Sequence, residues 1–191
     1  MKNLLMILFF LTLSYSVSNA ICVEGCNDPE WSITEDEWTI GETDCKIWVR
    51  YEHRVVTCND VQYNEVRLIG WVAAIDANCA EFEYPQAVIE FIYLQLFTGD
   101  LPGLITPISG CRSTYVVSGP ACWEMVYKPI GPSGAGYYGQ PCASTPTCCR
   151  HYQLCRDPFG NLSLTPLSYT PVPCGAVIGP ESHMPCHSNC Q

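Results

Sequence analysis

Basic residues are scarce in this chain and histidines scarcer: nine lysines and arginines stand against 19 aspartates and glutamates, with four histidines, in 191 residues. The formal net charge of −10 excludes the basic footprint of a nucleic-acid binder and opposes adhesion to an anionic membrane surface. Past residue 20 no apolar run reaches the roughly 20 residues that a membrane helix requires. There is no G-x-S-x-G nucleophile elbow, and Gly131 to Gly136 lacks the strand-to-helix context of a phosphate loop. Acidic side chains are plentiful, yet no pair of them is tied to a recognisable hydrolase scaffold. The chain is therefore read as non-enzymatic, with a small hydrolase as the last alternative, and no cofactor is expected.

Residues 1–20 form the first feature present. Lys2 gives a short positive start, Leu4 to Leu13 an apolar stretch, and Ser18 and Ala20 the small side chains that a signal peptidase reads before Ile21. This is the layout of a cleaved export signal; lipid attachment at Cys22 is the lesser alternative. All 14 cysteines follow it: Cys22, Cys26, Cys45, Cys58, Cys79, Cys111, Cys122, Cys142, Cys148, Cys149, Cys155, Cys174, Cys186 and Cys190. An even set of this size in an exported chain reads as a disulfide framework. Adjacent Cys148 and Cys149 are expected to take different partners.

The pattern along the chain is that of a β-rich fold of antiparallel hairpins with one buried helix. From Ile47 to Thr57, Ile47, Val49, Tyr51 and Val55 alternate with Arg50, Glu52 and Arg54, which predicts a strand with one buried face. Val66 to Ile75 predicts its hairpin partner, with a turn over Asn59 to Asn64. Asp157-Pro158-Phe159-Gly160 is a strong turn sequence and predicts a second hairpin over 150–167. Tyr115 to Val117 and Trp123 to Tyr127 are expected to form a third around Ser118-Gly119-Pro120. Pro85 at a first helical position and Gly99 just past Phe97 predict a helix, apolar nearly all round. Gly131 to Pro146 reads as a Gly/Pro/Ser-rich loop, and the proline-rich tail from Pro166 as irregular chain.

Four residues of the first hairpin, Cys45, Cys58, Asp60 and Asn64, return 97 positions later as Cys142, Cys155, Asp157 and Asn161. Cys26-Cys45-Cys58-Cys79 steps by 19, 13 and 21, and Cys122-Cys142-Cys155-Cys174 by 20, 13 and 19. This suggests an internal repeat: a first β module over 21–83, a connecting helix and loop over 84–110, and a second β module with its tail over 111–191. Tyr63 stands where Gly160 stands, so the two turns are not expected to share a backbone geometry.

Candidate sites are few. His183, Cys186, His187 and Cys190 have a spacing that metal ligands use, but zinc would need both cysteines as thiolates in an oxidising setting. Disulfides are the preferred reading there. Eight acids between Glu24 and Asp44 are expected to form a solvated face, since no calcium-loop pattern runs through them. Trp31, Trp38, Trp48, Trp71 and Trp123 are expected mainly in a β core; Tyr137 and Tyr138 are candidate ligand contacts. Asn161-Leu162-Ser163 is an N-glycosylation sequon at a hairpin turn. Function is expected to be that of a secreted extracellular or cell-surface structural, adhesive or assembly protein, partnered by another extracellular protein or by itself as an oligomer or filament. The alternative is a secreted ligand-binding or inhibitory module for carbohydrate or protein.

Overall fold

The computed structural model describes residues 22, 26–27, 29–39, 45–74, 85–99, 106–129, 135–142, 145, 147–169, 174 and 182–188. The predicted export signal, 1–20, lies outside them. The described chain is mostly β-sheet with one helix: β1 (Ser32–Thr39), β2 (Lys46–Cys58), β3 (Val61–Ala74), α1 (Pro85–Thr98), β4 (Gly110–Pro120), β5 (Cys122–Pro129), β6 (Ala135–Pro141), β7 (Thr147–Arg156), β8 (Leu162–Tyr169) and β9 (Ser182–Ser188).

β2 and β3 form the first hairpin, with Cys58 opposite Val61, so the connection is only Asn59 and Asp60. Both have positive φ, 47° and 66°, the conformation that a two-residue primed turn demands and that Asn and Asp tolerate. β3 therefore starts five residues earlier than the sequence pattern suggests. Its pairing with β2 runs from Val61 to Ala73, with Ile69 left over as a bulge where Arg50 faces Gly70 and Tyr51 faces Leu68.

The other edge of β3 is shared. Asn64 to Val66 pair in parallel with Tyr115 to Val117 of β4, and Trp71 to Ala74 pair antiparallel with Gly136 to Gly139 of β6. Beyond β3 the sheet thus divides into a β4–β7–β8 branch and a β6–β5–β9 branch, while β2 and β1 extend it on the near side. The parts assigned to separate modules meet directly in this one sheet.

Three local expectations are corrected. β4 and β5 do not pair with each other: β4 runs straight through Ser118-Gly119-Pro120, and the chain changes branch at Ala121, where Pro120 lacks the N–H to continue a ladder. The Gly131–Pro146 loop contains β6, an inner strand paired on both edges. The tail from Pro166 is not wholly irregular, since β8 passes through Pro166 and β9 pairs with β5. Proline is tolerated in β8 because it is an edge strand with a register shift beside it.

The helix is found where expected and buries one face. Val88, Ile89, Ile92, Tyr93, Leu96 and Phe97, spaced at i, i+1, i+4, i+5, i+8 and i+9, enter the core, while Glu90 and Leu94 stay exposed. They meet Tyr51, Leu68, Trp71, Tyr115, Trp123, Met125, Tyr152 and Leu154 from the sheet. Phe97 lies edge-on to Tyr115 at 5.3 Å between ring centres, and Tyr93 and Phe97 both tilt against Tyr152 at 6.4 and 5.9 Å. Each fully buried side chain contributes roughly 1.5–3 kcal/mol of transfer free energy.

The opposite face of β2 and β3 is covered at one end by the N-terminal segment. Cys26 is bridged to Cys58, Asn27 exchanges two hydrogen bonds with Thr57, and Pro29 O accepts from Arg54 Nη1. This changes the burial of β2. Its front residues Ile47, Val49 and Tyr51 are buried by the helix-side core; its back residues Arg54, Val56 and Cys58 are buried where the N-terminal segment crosses. The expectation of one buried face is corrected accordingly: Val55 is half-buried and Arg54 is buried.

Four bridges join Cys22–Cys149, Cys26–Cys58, Cys111–Cys155 and Cys122–Cys174, and Cys45, Cys142 and Cys148 are also disulfide-bonded. Cys22 therefore has no thiol left for a lipid. Cys148 and Cys149 take different partners. Taken alone, the Cys22–Cys149 bridge closes a loop of 127 residues, which in the chain-entropy account is about 5 kcal/mol.

Gly139 is where β6 passes Trp71. A Cβ at that position would overlap the Trp71 indole, which is itself fully buried. Gly139→Ala is expected to lower unfolding free energy by about 3 kcal/mol, at the upper end of overpacking costs. Gly119→Ala, whose nearest contact is 3.5 Å away, is the control with a much smaller loss in the same denaturant titration.

Candidate interaction surface

Charged residues are arranged in cross-strand pairs. On the back of the sheet Arg54 faces Glu65 and Glu52 faces Arg67, two neighbouring rungs of opposite polarity. Arg54 Nε donates to Glu65 Oε2 at 2.7 Å, and Arg67 Nε to Glu52 Oε2 at 2.6 Å. Trp31 covers both rungs, with the guanidinium carbons of Arg54 and Arg67 at 4.1 and 4.4 Å from its ring centre. Arg54 is 6% and Glu65 1% exposed, and Glu65 is the buried carboxylate among the described residues. Glu65 and its neighbour Glu52 are each held by a guanidinium group. The arrangement fastens the N-terminal segment to the sheet.

Three acids of the acidic stretch are engaged with β2. Glu35 lies 3.7 Å from Arg50, Asp36 accepts the Tyr51 hydroxyl at 2.7 Å, and Glu37 accepts from Lys46 at 2.6 Å. The Lys46 hydrogen bond holds the Glu37 carboxyl below its usual range. Burial, with Asp36 beside it, pushes the Tyr51 hydroxyl well up. Burial likewise lifts Tyr152 to about 12, with Arg150 opposing and Glu90 assisting. These tyrosines remain protonated and act as core residues with polar tips. Glu24, Asp28, Glu42 and Asp44 lie outside the described residues.

Tyr137 and Tyr138 lie on β6 between β3 and β5. Tyr138 is buried, and burial raises its pKa; Tyr137 is half-buried against the core. Of the tryptophans, Trp71 and Trp123 are buried, Trp38 packs on the core against Tyr51, and Trp31 covers the ionic rungs. His183, Cys186 and His187 fall on β9, whose side chains lie outside those described, as does Cys190.

A different region stands out by its exposure. Ile108 and Phe159 are 95% and 90% exposed, and each adjoins a residue whose carbonyl accepts from Arg156. Arg156 Nε donates to Pro107 O at 2.9 Å and Nη1 to Gly160 O at 3.0 Å, while Gly110 faces Arg156 across the β4–β7 ladder and Cys111–Cys155 closes the next rung. The turn carrying Phe159 is held by its own side chain. Asp157 Oδ1 accepts the N–H of Phe159 and of Asn161, Oδ2 accepts Asn161 Nδ2, each at 2.8 Å, and Gly160 takes φ 90°. Val61, 43% exposed, begins β3 at the same end, where Arg112 reaches Gln62 O. From this turn β8 runs on as an edge strand with no Asp, Glu, Lys or Arg, and with Leu167 half exposed.

The sequence pattern did not single out these residues. The signal was there: the third position of an Asp-Pro-x-Gly turn faces solvent, so an aromatic at that position is out of place unless something covers it. The turn also differs in kind from that at Asn59-Asp60. Cys58 abuts its turn and pairs with Val61, whereas Cys155 pairs with Ser163 across a longer connection. The shared C-x-D-x-x-x-N spacing thus falls on unlike hairpins.

Comparisons with protein-family models, curated proteins and solved structures return no match. The fold itself supplies the class: a β-rich, disulfide-stapled protein with one helix laid on a divided sheet.

Two outcomes follow from this electrostatics. Glu65→Ala leaves Arg54 buried without its carboxylate and should cost about 3–5 kcal/mol, whereas Arg54→Met with Glu65→Leu should recover most of that in thermal or denaturant unfolding. For Asp157, hydrogen bonds from Asn161 and the turn backbone depress the folded pKa below the ordinary value of about 3.9. Its contribution is therefore present above about pH 4 and lost as pH falls through the depressed value. Amide exchange at Phe159 and Asn161, corrected for intrinsic rate, should lose protection in that acid range; Asp157→Ala should lose it at every pH.

Proposed function

We propose that this chain is a secreted, non-enzymatic extracellular protein that works by protein–protein contact, and that its first partner is another copy of itself. The observation that carries this reading is the uncharged β8 edge joined to the rigid, exposed Phe159 and Ile108 on a molecule of net charge −10. Copies of such a molecule repel each other over most of their surface. At this end Arg112 and Arg156 offset Asp60 and Asp157, so apolar contact there meets little opposing charge. Among the described residues β8 pairs on one side alone, so its other edge offers a ladder to a second β8, and Pro166 limits that ladder to a short run.

The extracellular setting is supported by the signal-like residues 1–20 and by the disulfide bonding of the described cysteines. Among the described residues no helix is long and apolar enough to cross a membrane. A structural or adhesive role fits a surface that is mainly backbone edge and exposed apolar side chains.

Sedimentation of the disulfide-intact protein across a concentration series tests this. Reversible dimers or longer assemblies are expected, with Phe159→Asp and Leu167→Lys each weakening association at least about tenfold. A protein that stays monomeric at its solubility limit, or assemblies indifferent to both substitutions, would sink the reading.

A further inference from the structure

We infer that Asn161 is a carbohydrate-acceptor site, and that the glycan it takes stands at the entrance to the β8 edge. Asn161-Leu162-Ser163 is the one N-x-S/T triplet in the chain. The structure gives it an orientation suited to modification. Leu162 and Leu164 pack inward on the core, Ser163 between them takes the outward side, and Ser163 and Asn161, which immediately precedes β8, are both exposed. The acceptor follows a turn whose four residues, Asp157 to Gly160, are all solvent-facing, and no described side chain other than Asp157 hydrogen-bonds its amide.

The linkage is compatible with the turn. Asn161 Nδ2 has two hydrogens and gives one to Asp157 Oδ2. Transfer from a lipid-linked diphosphate oligosaccharide forms a bond from Nδ2 to the anomeric carbon, and one Nδ2 proton passes by way of the transferring enzyme's base to solvent. The bond from that carbon to the diphosphate oxygen breaks, and the lipid diphosphate leaves with the electron pair. The hydrogen that remains on Nδ2 suffices for Asp157, so the turn keeps its hydrogen bonds with the glycan in place. The attachment point is two residues from Phe159 and one from the start of β8. A glycan there shields the surface that would otherwise pair with a second copy; this consequence, unlike the acceptor assignment, rests on the reading proposed above.

The full chain, with residues 1–20 intact, is produced in a eukaryotic secretory cell line and the secreted protein is weighed before and after treatment with an N-glycan amidase. One occupied site is expected in the wild type and in Ser163→Thr, and none in Ser163→Ala or Asn161→Gln. Ser163→Ala keeps the Asn161–Asp157 hydrogen bond and so separates loss of the sequon from loss of the turn. Wild-type protein in the medium at the bare peptide mass overturns the assignment. In sedimentation, Ser163→Ala should associate more tightly than the glycosylated wild type. Equal association of the two, with the glycan present, overturns the shielding while leaving the acceptor in place.

Discussion

β3 can be hydrogen-bonded along only two edges, and the way it divides the second between two partners determines the rest of the fold. β2 occupies one edge for its whole length. On the other, β4 takes Asn64 to Val66 and β6 takes Trp71 to Ala74. The two cannot lie side by side there, so the sheet divides. Every described strand C-terminal to the helix belongs to one branch or the other. The bulge at Ile69 falls between the two pairings, and it restores Trp71 and Ala73 to the core face after Leu68. Trp71 can then lie flat over β6 only because Gly139 has no side chain. Helix α1 covers the place where the branches separate, with Tyr115 and Tyr152 from one branch and Trp123 and Met125 from the other in the same core.

Cys45 carries its disulfide inside this core, while other bridges act at its margins. The helix protects the front of the sheet, and the N-terminal segment covers the back at the Cys58 end of β2. That segment has little apolar content, so it is held by other means: Cys22 to Cys149 on β7, Cys26 to Cys58 at the end of β2, and the Trp31 ring over two arginines. In return it removes water from Arg54 and Glu65, which strengthens their attraction and also raises the cost of breaking it. The second cluster, Ala121, Cys122, Cys142 and Cys148 with Cys174 against it, serves the corner where the chain changes branch. Bridges and ion pairs thus secure the periphery of a body whose centre is held by aromatic packing.

This division explains what could be read from sequence. Local signals were legible: the alternation in β2, the Pro85-to-Gly99 helix and the Asp-Pro-Phe-Gly turn all depend on neighbours in the chain. The burial of Arg54 was not, because it depends on Trp31 and Pro29 arriving from 20 or more residues away. Nor was β6 visible, since Gly-Tyr-Tyr-Gly has the composition of a loop until Trp71 gives Gly139 its purpose. The β4–β5 expectation failed because Gly-Pro is a turn signal by composition, while here the same Pro120 ends a strand at a corner. Of the candidate surface, the turn and the sequon were legible. The exposure of Ile108 beside Phe159 was not, for it is the β4–β7 register that brings Pro107 to Arg156.

The three outer strands show why contact would concentrate on one of them. β1 presents Glu35, Asp36 and Glu37, each engaged with a residue of β2 yet still lending the edge its negative sign. Such an edge repels a second acidic copy, a common way to keep a sheet from growing. β9 is reached by the chain's cysteine-rich end and pairs with β5 through two register shifts, a ladder too irregular to template a straight neighbour. β8 has neither protection. It is uncharged, it begins at a turn braced by Asp157 and Arg156, and it carries one proline and one half-exposed leucine. Bracing matters here as much as exposure. An apolar side chain on a mobile loop loses much of its contact energy to ordering, about 0.5–1.5 kcal/mol per side chain fixed. Phe159 sits on a turn whose hydrogen bonds are already made and whose first strand, β7, is bridged to β4 through Cys111–Cys155. What a partner gains from covering it is therefore mostly retained.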